Sequence, residues 1–137
     1  MEPAFMDVLI FEIDGQRHGL PAADVQELLP ALMVMPLPGA PVGIEGVINL
    51  RGEIVPVLDV RKRFGMPTKP VALADHFIVI RTADRALALH VDRAVELARL
   101  DAGALTSLET QTARVAKQGD AMVLLHRVRD FSVEALP

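Results

Sequence analysis

Gly43-Ile44-Glu45-Gly46-Val47-Ile48-Asn49-Leu50-Arg51-Gly52-Glu53-Ile54-Val55-Pro56-Val57-Leu58-Asp59 is the stretch that decides how this chain folds. Two apolar runs, Val47 to Leu50 and Ile54 to Leu58, flank Arg51-Gly52. Glycine accepts positive φ, so the pair can make a tight turn and join the runs as a hairpin. Runs this short, rich in Val and Ile and bounded by Gly and Asp, read as strands buried on both faces. Asn49, Arg51 and Pro56 add nothing to a buried strand. A polar tip on so apolar a base is placed for recognition.

Working outward, short apolar runs alternate with turn signals. Val8 to Ile13 reads as a strand closed by Asp14-Gly15, and Arg17 to Leu20 as its return. Val25 to Leu29 fits a strand or a helical turn equally well. Pro30, Pro36, Pro38 and Pro41 break up a loop that runs to Gly43. Beyond the hairpin, Val60 to Phe64 is one charged helical turn, ended by Gly65 and Pro67, with Asp59 as its cap. His76 to Arg81 and Ala86 to Val91 are strands separated by a turn at Thr82 to Arg85. Val95 to Leu100 and Ala121 to Leu125 are further strands. Val128 to Leu136 carries apolar residues near helical spacing and reads as a terminal helix. Many short strands at such intervals predict a mainly all-β barrel or sandwich.

Composition narrows the function. The 137 residues suffice for one domain, residues 1–137, with two halves meeting near 67–70. Hydrophobic residues are 51% and charged residues 23%, which argues against disorder. Five Phe with no Trp or Tyr leave few platforms for stacking bases, and a net charge of −4 gives no footprint for nucleic acid or anionic lipid. The absence of Cys removes disulfides, thiolate metal sites and a cysteine nucleophile. The start Met1-Glu2-Pro3 is acidic and unlike a secretory leader, and no apolar run is long enough for a membrane span, so a cytoplasmic location is expected.

Catalytic readings fare poorly. His18, His76, His90 and His126 show no i, i+4 pairing of the kind that suits zinc on a helix. Ser107 and Ser132 lie outside any G-x-S-x-G elbow, and the glycines do not form a phosphate-cradling loop. Asp59 ends a strand much as the phospho-acceptor of a receiver domain does. A receiver also needs an acidic pair after its first strand and five long helices, which this sequence lacks. No catalytic residue and no cofactor or metal site is expected.

The series of segments nevertheless resembles one family. Gly46-Val47-Ile48-Asn49-Leu50-Arg51-Gly52-Glu53-Ile54-Val55-Pro56-Val57-Leu58-Asp59-Val60-Arg61 is similar to the central motif of CheW-type chemotaxis coupling proteins. Val8 to Ile13 with Asp14-Gly15 and His18-Gly19-Leu20-Pro21 resembles the family's first hairpin. Val25-Gln26-Glu27-Leu28-Leu29 resembles its V-x-E-V-type segment, Pro36 to Pro41 its proline loop, and Ile78 to Ile80 with Ala86 to Asp92 a strand pair ending in Val-Asp. Two features depart from the pattern. Leu105 to Gln118 is a short polar connection, and His126 stands where Asp or Asn is common.

The resemblance implies two packed SH3-like, five-stranded β-barrel subdomains with short helices, and an adaptor in place of an enzyme. Its implied partners are the cytoplasmic tips of methyl-accepting chemoreceptors and the regulatory domain of a CheA-type histidine autokinase, at membrane-associated receptor arrays. A coupling protein of type IV pilus or biofilm signalling is the alternative within the fold. By motif position, Gly46, Asn49, Arg51, Gly52, Val25 and Glu27 are the implied partner-binding residues. Asn49 can equally bond local backbone, and Glu27 can equally be a solvated strand residue. Val42, Ile44, Val47 and Ile48 are open as core or as an exposed apolar groove.

Overall fold

The computed structural model describes residues 5–31, 33–101, 106–107 and 114–131. The strands are β1 (Phe5–Ile13), β2 (Gln16–Pro21), β3 (Val25–Pro30), β4 (Ile44–Leu50), β5 (Glu53–Asp59), β6 (His76–Arg81), β7 (Ala86–Val91), β8 (Arg93–Asp101), β9 (Thr106–Ser107), β10 (Arg114–Gln118) and β11 (Ala121–Leu125). One helical turn, α1 (Val60–Arg63), follows β5, and a 3-10 turn, Val128–Phe131, follows β11. The strands form two sheets, in the orders β8-β1-β2-β11-β10-β9 and β3-β6-β7-β5-β4.

Period-2 alternation explains why so many runs are apolar on both faces. Val8 and Ile10 of β1 point into the first sheet's own curl with Leu100, Ala116, Val123 and Leu125. Leu9, Phe11 and Ile13, on the other face of β1, meet Ile78, Ile80, Leu87, Leu89 and Val91 at the seam between the sheets. The second sheet repeats the scheme: Phe77, Val79, Ala86 and Ala88 fill its curl with Ile48, Leu50, Val55 and Val57. Each fully buried large aliphatic side chain contributes about 1.5–3 kcal/mol. The seam, with eleven such aliphatic groups and two Phe fully or nearly buried, is the largest core among the described residues.

The topology has a hidden repeat. The succession hairpin, crossing strand, hairpin, short helical turn occurs twice, as β1 to α1 and as β6 to the turn at Val128–Phe131. In each sheet the first hairpin of one half is completed by the crossing strand and the second hairpin of the other. A parallel pair closes each: β11 on β2, and β5 on β7. Residues 67–70 lie in the loop between the two successions, whereas the chain changes sheet elsewhere, between β2 and β3 and between β7 and β8.

One local expectation needs correcting, one is described in part, and one open choice is resolved. Arg114–Gln118 is a strand, not part of a polar connection; its basic and amide side chains hide a pairing with β11. The described start of the expected terminal helix, Val128–Phe131, is a 3-10 turn, and 132–137 lie outside the described residues. Of the groove candidates, Ile44 and Ile48 are core, Val47 is half-buried, and Val42 is exposed.

Candidate functional site

Leu50 pairs with Glu53, leaving Arg51 and Gly52 as a two-residue loop. Both have positive φ, 51° and 88°, the geometry whose twist matches that of the flanking strands. Asn49 Oδ1 accepts the Gly52 N–H at 2.8 Å and locks the turn. Of the two readings open for Asn49, the structure has the backbone bond. Asp14-Gly15 adopts the same turn, but Asp tolerates the left-handed region because its short side chain bonds locally. Arg51 has no such excuse. A long side chain held there costs about 1–2 kcal/mol.

The guanidinium reaches across the curled sheet. Arg51 Nη1 and Nη2 donate to Glu27 Oε1 and Oε2, both at 2.6 Å, a fork-to-fork pair. β3 and the β4–β5 tip are opposite edges in sheet order, so this pair draws the edges together and closes the curl. The hydrogen bond from Arg51 holds the Glu27 carboxyl below its usual range, and the same bond raises Arg51. The Arg51 side chain remains 72% exposed against 23% for Glu27, so one face of the pair is open to a partner. Exposed Leu28 follows Glu27 along β3, and exposed Ile54 lies opposite Asn49 in the ladder.

The other expected residues sit apart from this corner. Gly46 is buried at a bulge of β4, under the backbone of Met35, whose N–H and C=O both pair with Val47. Val25 is half-buried and packs on the seam core. Glu27, Asn49, Arg51 and Gly52 are therefore brought together; Val25 and Gly46 support the strands that carry them. Asp59 is 6% exposed and its carboxylate accepts the Lys62 N–H, as the cap of α1. In a fold of antiparallel hairpins it has no receiver-like setting.

Sequence reasoning missed two polar clusters. Arg61, 8% exposed, donates to Asp14 and Asp92, and so ties the β1–β2 turn to α1 and the β7–β8 junction. Burial would raise the Asp92 carboxyl, but the bonds from the Asp14 N–H and from Arg61 outweigh it and hold it low. His90 lies between Glu45 Oε1 and Asp75 Oδ2, each 2.7 Å from a ring nitrogen. Two ionised carboxylates facing the two ring nitrogens favour the imidazolium, in which both nitrogens donate. Burial opposes that charge, yet the two carboxylates prevail and raise its pKa. No spacing rule joins residues 45, 75 and 90.

The comparisons with known proteins agree with this architecture. The family model described as CheW-like domain matches residues 7–130. Chemotaxis protein CheW of Treponema pallidum is 29% identical over 90 residues, 63% of this chain and 53% of that protein. The Helicobacter pylori protein of the same name is 24% identical over 128 residues, 88% of this chain and 78% of its own length. The Thermotoga maritima one is 33% identical over 94 residues, 69% of this chain and 62% of its length. The matches thus span between about half and three-quarters of these relatives. The crystal structure of scaffolding protein TtCheW from Thermoanaerobacter tengcongensis superposes with a TM-score of 0.83 at 27% identity, covering 96% of this chain and 95% of that one. Its two SH3-like subdomains correspond to the two curled sheets. No helix among the described residues is long and apolar enough to cross a membrane. The chain belongs to the CheW-like family, a family of chemotaxis scaffolds and not of enzymes.

Proposed function

We propose that this domain is an adaptor that couples the cytoplasmic tips of chemoreceptors to the regulatory domain of a CheA-type histidine autokinase, in the cytoplasm at receptor arrays. The corner formed by Glu27, Asn49, Arg51 and Gly52 is its partner-binding surface, with Val25 and Gly46 as supports. One observation carries this reading: Arg51 occupies a backbone conformation that Asn or Gly adopts at lower cost, and it presents an open, charged fork there. The Glu27 pair gives the strained turn a role inside the fold, and its exposed face leaves the guanidinium available to a partner as well. An exposed arginine with its partner already in place, close to exposed Ile54, has the makeup of an interface anchor.

Arg51→Asn separates binding from folding, because Asn suits the turn. The expected result is an unchanged thermal midpoint with binding to a purified kinase regulatory domain, read by calorimetry, weakened by roughly 30-fold, the worth of about 2 kcal/mol. Wild-type affinity in that variant sinks the site assignment. The doubly reversed Glu27→Arg/Arg51→Glu rebuilds the ion pair with opposite sense. Recovery of binding there means that the pair only positions the turn.

A further inference from the structure

His18 on β2 and His126 just after β11 are 3% and 8% exposed, and their rings meet with His18 Nδ1 and His126 Nε2 2.9 Å apart. A hydrogen bond between two ring nitrogens needs one proton between them and one bare acceptor. His18 Nε2, on the far side of its ring, has no partner among the described residues. A second proton on that ring would therefore be a buried, unanswered donor.

The rings form the middle of an aromatic stack. Phe11 of β1 lies 5.5 Å from His18, and Phe64, after α1, lies 5.0 Å from His18 and 4.7 Å from His126. Phe131 closes the end against His126 at 5.8 Å. Phe64 follows β5 and α1 of the second sheet, whereas the histidines belong to the first, so the stack bridges the seam. The charged groups nearby come from each packed element. Arg17 and Glu12 are on β2 and β1, Arg63 ends α1, and Arg127 and Asp130 lie in the turn after β11. Arg17 bonds Gln118 and pairs with Glu12 at the surface; Arg63 donates to the Asp130 main-chain oxygen; Asp130 Oδ2 accepts the Arg127 N–H. Asp130 alone favours charge on His126, and burial overrides it.

We propose that the His18–His126 pair is an acid-sensitive latch at the seam, joining β2 to the segment after β11 within the first sheet while it holds one shared proton, and loosening that joint and the Phe64 stack resting on it when it takes up another. Burial, with mutual repulsion for His18, lowers both rings from 6.5 to about 4. The neutral rings stabilise the fold fully above 6.5, and that stabilisation is lost as pH falls from 6.5 toward 4. The unfolding constant is expected to rise by roughly 30-fold per histidine between pH 7.5 and 5.

The test is urea unfolding across that range, with NMR titration of the imidazole carbons and hydrogen exchange of β2 and β11 amides. In the wild type both rings should titrate well below 6.5, and β2–β11 exchange should accelerate on acidification before β6–β7 exchange does. His18→Phe/His126→Phe keeps the stack and removes the titration, so its unfolding constant should lack the acid rise and keep only the opposite drift that His90 contributes. Rings that titrate near 6.5, uniform exchange, or the full acid slope in the double variant would each overturn the latch. If that variant does not fold, the wild-type titration and exchange decide.

Discussion

At Gly46 a Cβ would stand 2.2 Å from the Met35 carbonyl oxygen and 2.9 Å from Val34 Cγ1. That oxygen is backbone, and Met35 is bonded to Val47 in both directions, so nothing can swing aside. Gly46→Ala is expected to lower stability by about 2–4 kcal/mol, read as a shift in the urea midpoint with an unchanged slope. The motif position of Gly46 was legible in the sequence; its reason, the backbone of a residue in the proline loop, was not. Glu27 shows the same limit more sharply. It lies 24 residues from Arg51 and on the far edge of the sheet, so only closure of the curl makes them partners. Asn49 was legible, because its bond is to a backbone group three residues on.

At the scale of elements, buried polar clusters decide which joints are rigid. Arg61 joins α1 to two turns through Asp14 and Asp92. Arg61→Met keeps the apolar stem but leaves Asp92 with only the Asp14 N–H and Lys69. A cost of about 2–3 kcal/mol is expected, below the usual 3–5 for a buried pair because Asp14 is half-exposed. Thermal unfolding at neutral pH checks it. The His90 clamp ties β7 to β4 and to the turn before β6. Its folded pKa is raised, so its stabilisation is fully present below the unfolded value and is lost as pH rises through the raised one. Wild-type urea midpoints should therefore fall on the alkaline side, while His90→Gln should be less stable at pH 6 and nearly flat above it. Strands with apolar runs were readable, including His76–Arg81, Ala86–Val91 and Ala121–Leu125. Arg114–Gln118 was not, since it is an outer strand whose Arg114, Lys117 and Gln118 mask the pattern.

For the whole molecule, the exchange of strands between halves sets how stability is shared. Each sheet lacks its closing parallel strand unless both halves are present. Fragments 1–70 and 71–137 are each expected to be largely unfolded by circular dichroism, and to regain β structure when mixed. An independently folded fragment would show that a half can fold without strand exchange. Fold class was legible because periodicity reports buried faces, but the exchange was not, because a pattern of faces does not say which strand a neighbour comes from.

The parallel pairing of Val123 to Leu125 with Arg17 to Gly19 has a consequence for synthesis on the ribosome. Among the described strands, the first sheet opens with the earliest hairpin, β1–β2, and closes with the latest, β11. That hairpin must wait, with Val8 and Ile10 uncovered, until β11 has left the exit tunnel. Closing so long a loop is slow, and it comes at the end. The second sheet takes all its strands from Val25 to Val91 and can form while the chain is still tethered. During translation, then, the sheet carrying Glu27 and Arg51 is the one that can be built first, and the other is completed only after β11 emerges.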